Sequence, residues 1–544
     1  MARWTRWLGL ALAGCTGGTA EVPVPTQGDG IEMEAIGPAA EQVDAFAASI
    51  PSLPAVAALV GAHRGRVLNF HLLHAEDPET GVIGPSTGFQ AIYYDYDADV
   101  AYELSGDLTA PERVVAVPTL AQPAPPLAEF QEAVDLLLQD PELALRYDRG
   151  EVRFLHSMPP LVENNEGDRV ITVGVAYEGA PGPSEIAGVN LSAQTVIHFP
   201  GLSPSNASVT GFTCNPPVDA FQPAVTRGTA GSARLRMRRQ GQEVWSFNVI
   251  RPSASSGTWG SAVEITDVRY RGRRILASAG VPILNVRYDA DACGPYRDWQ
   301  WQENSFEVGP IRATPAPGIA LVEWAKTVRE LGDDSGNFDG VAAYFDALRQ
   351  EIVLISEIEA GWYRYSSEWR FGMDGTIRPR FGFDAVENYC TCRRHHHNAY
   401  WRLDFHLGSG LNSFGALDPA TGAWSQITEE VQLQRRTDAT ERWRVSDPST
   451  GDSVLLVPHA GEDPADAYSI ADLWLLADQP GEYDDAGRTP HSPTAAALPQ
   501  FVNGQSMVAV DGVIWWAGHF AHDDTDPTTN QTHTVGFLIQ PETW

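Results

Sequence analysis

From Ser232 to the C-terminus, more than 300 residues run as one short apolar–polar alternation after another, cut by Gly, Pro, Asn and Asp. A period of two sends successive side chains to opposite faces of a strand and does not make a helical stripe. Ala233–Arg238, Val244–Ile250, Ala262–Tyr270, Arg274–Leu276, Ile283–Tyr288, Glu351–Glu359, Trp362–Phe371, Trp401–Leu407, Asp452–Val457, Ser506–Val510 and Val513–Ala517 all read this way. The chain holds 50 Gly and 39 Pro for turns, and this region shows one helical pattern, between Ile319 and Leu331. A chain of this kind buries its apolar faces by stacking sheets, so residues 206–544 are expected to form a large all-β sandwich.

The first 200 residues differ. Val43, Phe46, Ile50, Leu53, Val56 and Leu59 mark one or two short helices broken at Pro51 and Pro54. Strand patterns follow at Arg66–Leu73, Gln90–Tyr96 and Val100–Leu104, giving an α+β unit over 41–118. After a Pro/Ala linker, a helix starts at Pro126 and stops before Pro141; strands Glu151–Leu155, Arg169–Tyr177 and Gln194–Phe199 complete a second α+β unit over 119–205. The segment 200–229, with five prolines and no periodicity, marks the boundary before the sandwich.

A formal net charge of −33 disfavours nucleic acid as a partner, because a phosphate backbone calls for a basic footprint. At the N-terminus, Arg3 and Arg6 precede a short apolar run from Trp7 to Ala13 that ends in Leu12-Ala-Gly-Cys15. This reads as a signal peptide over 1–14. The Leu-Ala-Gly-Cys sequence resembles a bacterial lipobox, which implies lipid on Cys15, a flexible tether over 15–40, and a membrane-anchored exported protein on the periplasmic or outer-membrane face. Cys214, Cys293, Cys390 and Cys392 remain, with their pairing open.

The chemistry gathers around His395-His396-His397, at the head of a strand pattern. On a strand, His395 and His397 share one face and His396 takes the other. Two imidazoles on one face are part of a three-histidine metal site that suits Cu(II) or Zn(II). The third ligand is expected from His519, with His522 as the substitute three residues on.

Four blocks, in order, resemble the copper-containing amine oxidases. Ile265-Thr-Asp-Val-Arg-Tyr270, Val286-Arg-Tyr288-Asp and Phe306-Glu307-Val-Gly309 look like the run into that family's catalytic base. Trp362-Tyr363-Arg364-Tyr365, followed by Asp374-Gly-Thr-Ile377, resembles the block whose first Tyr becomes topaquinone. His395-His-His397 with Arg402-Leu-Asp404 is similar to the copper His pair. His519-Phe, then Asp524, Pro527, Val535-Gly-Phe-Leu538 and Pro541, resembles the third copper histidine and the C-terminal signature.

The resemblance implies a primary-amine oxidase that consumes O₂, with aldehyde, ammonia and hydrogen peroxide as products, and a homodimer. It implies copper(II) on His395, His397 and His519, and topaquinone derived from Tyr363. Glu307 stands at the base position, with Asp298 and Asp289 as competitors, and Tyr288 contacts the cofactor. Asp404 and Asp511 match positions that bind a second, calcium-like structural cation. The sequence departs from the family at Trp362, where Asn is usual, at Arg364, where an acid is usual, and at Glu307, where Asp is usual. The alternative reading is a catalytically inactive copper- or ligand-binding lipoprotein on the same fold.

Overall fold

The computed structural model describes residues 30–76, 82–119, 125–155, 169–177, 185–198, 230–288, 296–332, 335–361, 363–385, 394–436, 439–460, 462, 465–484, 498–522 and 533–543. Two small α+β units lead into a large β-sandwich. In the first, strands Gly65–Glu76, Ile83–Asp95, Val100–Asp107 and Val115–Thr119 form an antiparallel sheet. The helical stretch Ala40–Val60 is long and apolar enough to cross a bilayer. Here, however, its Val43, Phe46, Ile50, Leu53, Val56 and Val60 bury against Phe70, Phe89 and Leu104 of that sheet.

The second unit pairs Val152–Leu155, Ile171–Tyr177, Glu185–Asn190 and Thr195–His198. Its helix Leu127–Leu137 packs on this sheet, and Phe130, Ala133, Val134 and Leu137 share one core with Val173, Val175 and Val189 and with Tyr94 and Tyr96 of the first unit. Buried Glu129 accepts from Arg169 at 2.6 Å and from the Tyr96 hydroxyl, tying the two units together. Pro141 does not end the helical region. It occupies the first turn of a second helix, Pro141–Asp148, where its missing N–H costs nothing, and Asp140 caps that helix.

Among the described residues, the sandwich consists of a ten-stranded and a twelve-stranded sheet. The first runs in the order Gly30–Ala35, Ser232–Arg239, Gln242–Ile250, Glu264–Tyr270, Arg273–Tyr288, His395–Phe405, Gly512–His522, Leu473–Ala477, Val431–Leu433. At the centre of the second lie Glu351–Ala360, Tyr363–Gly372, Ile377–Ala385 and His533–Thr543. Between the sheets, Trp245, Trp369, Trp401 and Trp516 are almost completely buried with Phe247, Phe371, Phe381 and Phe537. Each such side chain contributes about 1.5–3 kcal/mol of burial, so the inner face is the rigid part of the molecule.

Two expectations change. Residues 30–35, read as tether, form an edge strand, because Ile31 and Met33 alternate with Glu32 and Glu34, and Glu34 pairs with Arg236 at 2.6 Å. Residues 319–331, read as a helix, are mainly strands Ile319–Val322 and Ala325–Lys326. Ile319 and Ala320 bury beside Val341 and Ala342 in a parallel pairing, and only the capped turn Val328–Leu331 is helical.

Candidate metal and tyrosine site

Strand His395–Phe405 pairs antiparallel with Gly512–His522 in the register His395↔His522, His397↔Phe520 and Asn398↔His519. Residues directly opposite in such a pair point to the same face. Ala399, Trp401, Ile514, Trp516 and Phe520 belong to the core between the sheets, whereas Tyr400, Val513, Trp515 and Ala517 pack on the rear. Parity therefore puts His395, His397 and His522 on the inner face, and His396 and His519 on the rear. The His395 ring lies 4.8 Å from His397 and 4.9 Å from His522, centroid to centroid, and all three side chains are fully buried.

The expectation for His519 is corrected by this register. Its offset of three residues from His522 turns it to the opposite face, where its Nδ1 meets the Asn398 carbamoyl oxygen at 2.7 Å. Burial holds its imidazole neutral, with the pKa pushed down to about 3.

Facing the histidines across the gap is strand Tyr363–Gly372. Tyr363 and Tyr365 both point inward, with the Tyr363 ring 4.8 Å from His397 and 5.7 Å from His395. The hydroxyls of Tyr288 and Tyr363 are hydrogen-bonded to each other. Tyr288 comes from the strand on the other side of the His395 strand, in the register Tyr288↔His395. Tyr365 donates its hydroxyl to Asp298 Oδ2 and lies 3.1 Å from His397 Nδ1. With that proton committed to Asp298, the Tyr365 oxygen accepts from His397 Nδ1–H, which leaves Nε2 as the unprotonated nitrogen.

Asp298 is fully buried, and its Oδ1 has no hydrogen-bond partner. Burial lifts its carboxyl to about 7, against the opposing pull of Tyr365 and Arg297. This places a proton acceptor of near-neutral pKa in the tyrosine cluster. Glu307 sits elsewhere: its side chain is 40% exposed, beside Lys326 at 3.9 Å, in a two-residue strand pairing. Of the two, Asp298 is the carboxylate in contact with the tyrosine cluster, and Glu307 pairs with Lys326 instead. An acid embedded in Arg297-Asp298-Trp299-Gln300-Trp301 was the available signal, since such an aromatic run is buried and its carboxylate with it.

Arg364 has a structural account. It points away from Tyr363 to the outer face, between Glu359 and Asp384 on the neighbouring strands, with all three 3% exposed. Its Nη1 lies 3.7 Å from Glu359 and donates to the carbonyls of Gly361 and Tyr363 at 3.0 and 3.1 Å. A central cation between two buried acids explains why an acidic residue is not found there. Arg364→Leu is expected to destabilise the protein by about 3–5 kcal/mol in urea unfolding, since it leaves two buried carboxylates facing each other. Trp362, Asp289 and the four later cysteines lie outside the described residues.

Asp404 lies on the rear of the same sheet, grouped electrostatically with Asp478 and Asp511. Burial first, and then these two carboxylates, raise Asp404 to about 7; Asp511 is raised by burial and by Asp478.

Three buried imidazoles on one face fit copper or zinc by donor chemistry. Among the described residues, no group of three or more His, Cys, Asp or Glu side chains is arranged in its present conformation to hold an ion. The His397 ring instead stacks on Phe383 at 4.0 Å and on Phe520 at 5.0 Å.

Among solved structures, a copper-containing benzylamine oxidase from Hansenula polymorpha aligns with 92% of this chain and 96% of its own, with a TM-score of 0.59 at 13% identity. The fold is that of the copper-containing amine oxidases. An amine oxidase from Aspergillus nidulans follows at TM-score 0.57 and 12% identity, covering 92% of this chain and 87% of that one. A lysyl oxidase from Pichia pastoris gives 0.56 and 11%, covering 92% and 88%. No family model matches the sequence, and no curated protein matches it. The amine oxidase fold is shared here at an identity that leaves the site to be argued from its own residues.

Proposed function

We propose that the chain is a copper-dependent primary-amine oxidase whose topaquinone derives from Tyr363. The observation that carries this reading is the packing of the Tyr363 ring against His395 and His397, with the Tyr288 hydroxyl on its own and the Asp298–Tyr365 pair alongside. His395, His397 and His522 would hold copper(II). Bound together, copper and the quinone supply the two-electron chemistry that turns a primary amine and O₂ into aldehyde, ammonia and hydrogen peroxide.

The chain's own residues do the rest. Tyr288 fixes the Tyr363 ring by hydrogen-bonding its hydroxyl. Asp298 receives a proton at Oδ1 while Oδ2 stays bonded to Tyr365, and its pKa of about 7 suits a general base at neutral pH. The surrounding Phe381, Phe383 and Phe520 exclude water from this gap. Asp404 and Asp511, with Asp478, would hold a second cation. The same reading includes a homodimer and attachment to a membrane through lipid on Cys15. The alternative, metal or ligand binding without turnover, draws on Trp362 in place of the family's Asn.

Aerobic incubation of the purified apoprotein with Cu(II) separates the two. A broad visible quinone band, shifted by phenylhydrazine, is expected in the wild type and in Tyr365→Phe, and is expected to be absent from Tyr363→Phe. Stoichiometric copper without any band in the wild type would sink the oxidase reading and leave the binding one.

A further inference from the structure

The strands that carry the histidines are buried on both sides. On strand His395–Phe405, Ala399, Trp401 and Leu403 fill the inner core while Tyr400 fills the rear one, and none is more than 1% exposed. Strand Gly512–His522 repeats the pattern, with Ile514 and Trp516 inside and Val513, Trp515 and Ala517 behind. Apolar patterning specifies register when one face is buried and the other is wet. On Gly512–His522 both faces are apolar, so a slip of that strand by one residue would cost little by burial of its own side chains, yet it would turn His522 to the rear and bring His519 inside. Strand His395–Phe405 is already held by Arg402 and Asp404 on its rear face, where Arg402 pairs with Asp478. The neighbouring strand already carries an irregularity between Gly280 and Ile283, close before the site.

A row of polar side chains crosses the rear face at this point. Asn285, Asn398 and His519 are direct cross-strand neighbours on three consecutive strands. Asn398 Nδ2 donates to Asn285 Oδ1 at 2.8 Å, and Asn398 Oδ1 accepts from His519 Nδ1 at 2.7 Å. His519 Nε2 faces Asp472 at 3.6 Å; Asp472 accepts the Arg435 backbone N–H at 2.9 Å, and Arg435 pairs with Glu462 at 2.8 Å. Exposure is 3% or less for Asn285, Asn398, His519 and Asp472. In any other register these groups would be buried without their partners, at the full cost of desolvation.

We propose that Asn398 and His519 are positioning residues: the Asn285–Asn398–His519 row locks the strand register that presents His395, His397 and His522 to the inner face. This is the sheet counterpart of a single buried polar residue that sets the register of a coiled coil. The inference rests on the proposed copper role only for what the register is for; the register itself is tested without metal.

The test is residue-resolved labelling of the apoprotein with diethyl pyrocarbonate, read by mass spectrometry, alongside copper content after reconstitution. In the wild type His396 is expected to react while His395, His397 and His522 are protected. In His519→Leu and in the double variant Asn398→Leu/His519→Leu, which removes both partners together, protection of His522 is expected to fall about tenfold and copper to fall below half an equivalent. His519→Gln, which can still donate to Asn398, is expected to restore both. Val513→Ala, a rear-face change outside the row, serves as the control for general loosening and is expected to keep the wild-type pattern. Unchanged protection in both leucine variants, or equal loss in Val513→Ala, overturns the proposal. If the wild type binds no copper but the leucine variants still lose protection, the copper reading fails and the register lock stands.

Discussion

His522→Ala is expected to strip copper from the protein, while His396→Ala and His519→Gln keep about one equivalent. The three changes remove imidazoles within a few residues of each other along paired strands, yet only His522 shares the inner face with His395 and His397. Removing even a partner of a ligating histidine weakens metal affinity by roughly 10–100-fold, so loss of one of three ligands should exceed that range. Glutamine at 519 retains a donor for Asn398 and removes the imidazole, so it separates a ligand role for His519 from a positioning one. Metal analysis after gel filtration and the Cu(II) EPR spectrum are the readouts. Copper lost from His519→Gln and retained in His522→Ala would reverse the assignment.

Asp298→Asn should abolish turnover and at the same time stabilise the fold at alkaline pH. Loss of a positioned general base lowers kcat by about 10²–10⁴-fold. The stability effect follows from the carboxyl's rise from 3.8 to about 7 on burial. Between those values the unfolded chain gives up its proton while the folded chain keeps it, so stability falls as pH rises through the window and levels off above 7. A carboxyl raised from 3.8 to about 7 loses about 4 kcal/mol of stability by pH 8. Asparagine carries no such penalty and can still accept from the Tyr365 hydroxyl. Urea unfolding at pH 8 should therefore favour the variant, with the advantage vanishing towards pH 4. Wild-type turnover should rise through about pH 7 as Asp298 ionises. An Asp298→Asn protein that is no more stable at pH 8 than the wild type would mean that this carboxylate is not held protonated by burial.

The sandwich was legible because period-two patterning over 300 residues admits few other solutions, and the opposed faces of His396 and its neighbours follow from the same parity. Parity also decides between His519 and His522, but only once the pairing strand and its register are known; sequence spacing alone cannot supply that. Glu307 was misleading for a related reason. A match of letters around Phe306 and Gly309 does not report burial, whereas the tryptophans around Asp298 do. Gly30–Ala35 is hard to see because Gly, Thr and Pro dominate the segment before it, although Ile31 and Met33 carry a strand's alternation.

That edge strand has a mechanical consequence. It runs antiparallel to Ser232–Arg239 along six paired positions, with Glu34 held by Arg236. In a protein tethered by its N-terminus, tension would enter at Gly30 and act along the strand, so the cross-strand bonds would share the load in shear instead of opening one at a time. The pull would pass into the ten-stranded sheet before reaching the helices of the first α+β unit. The small units would hang beside the line of force, and the strands bearing the histidines would feel it only through the sheet they already stiffen.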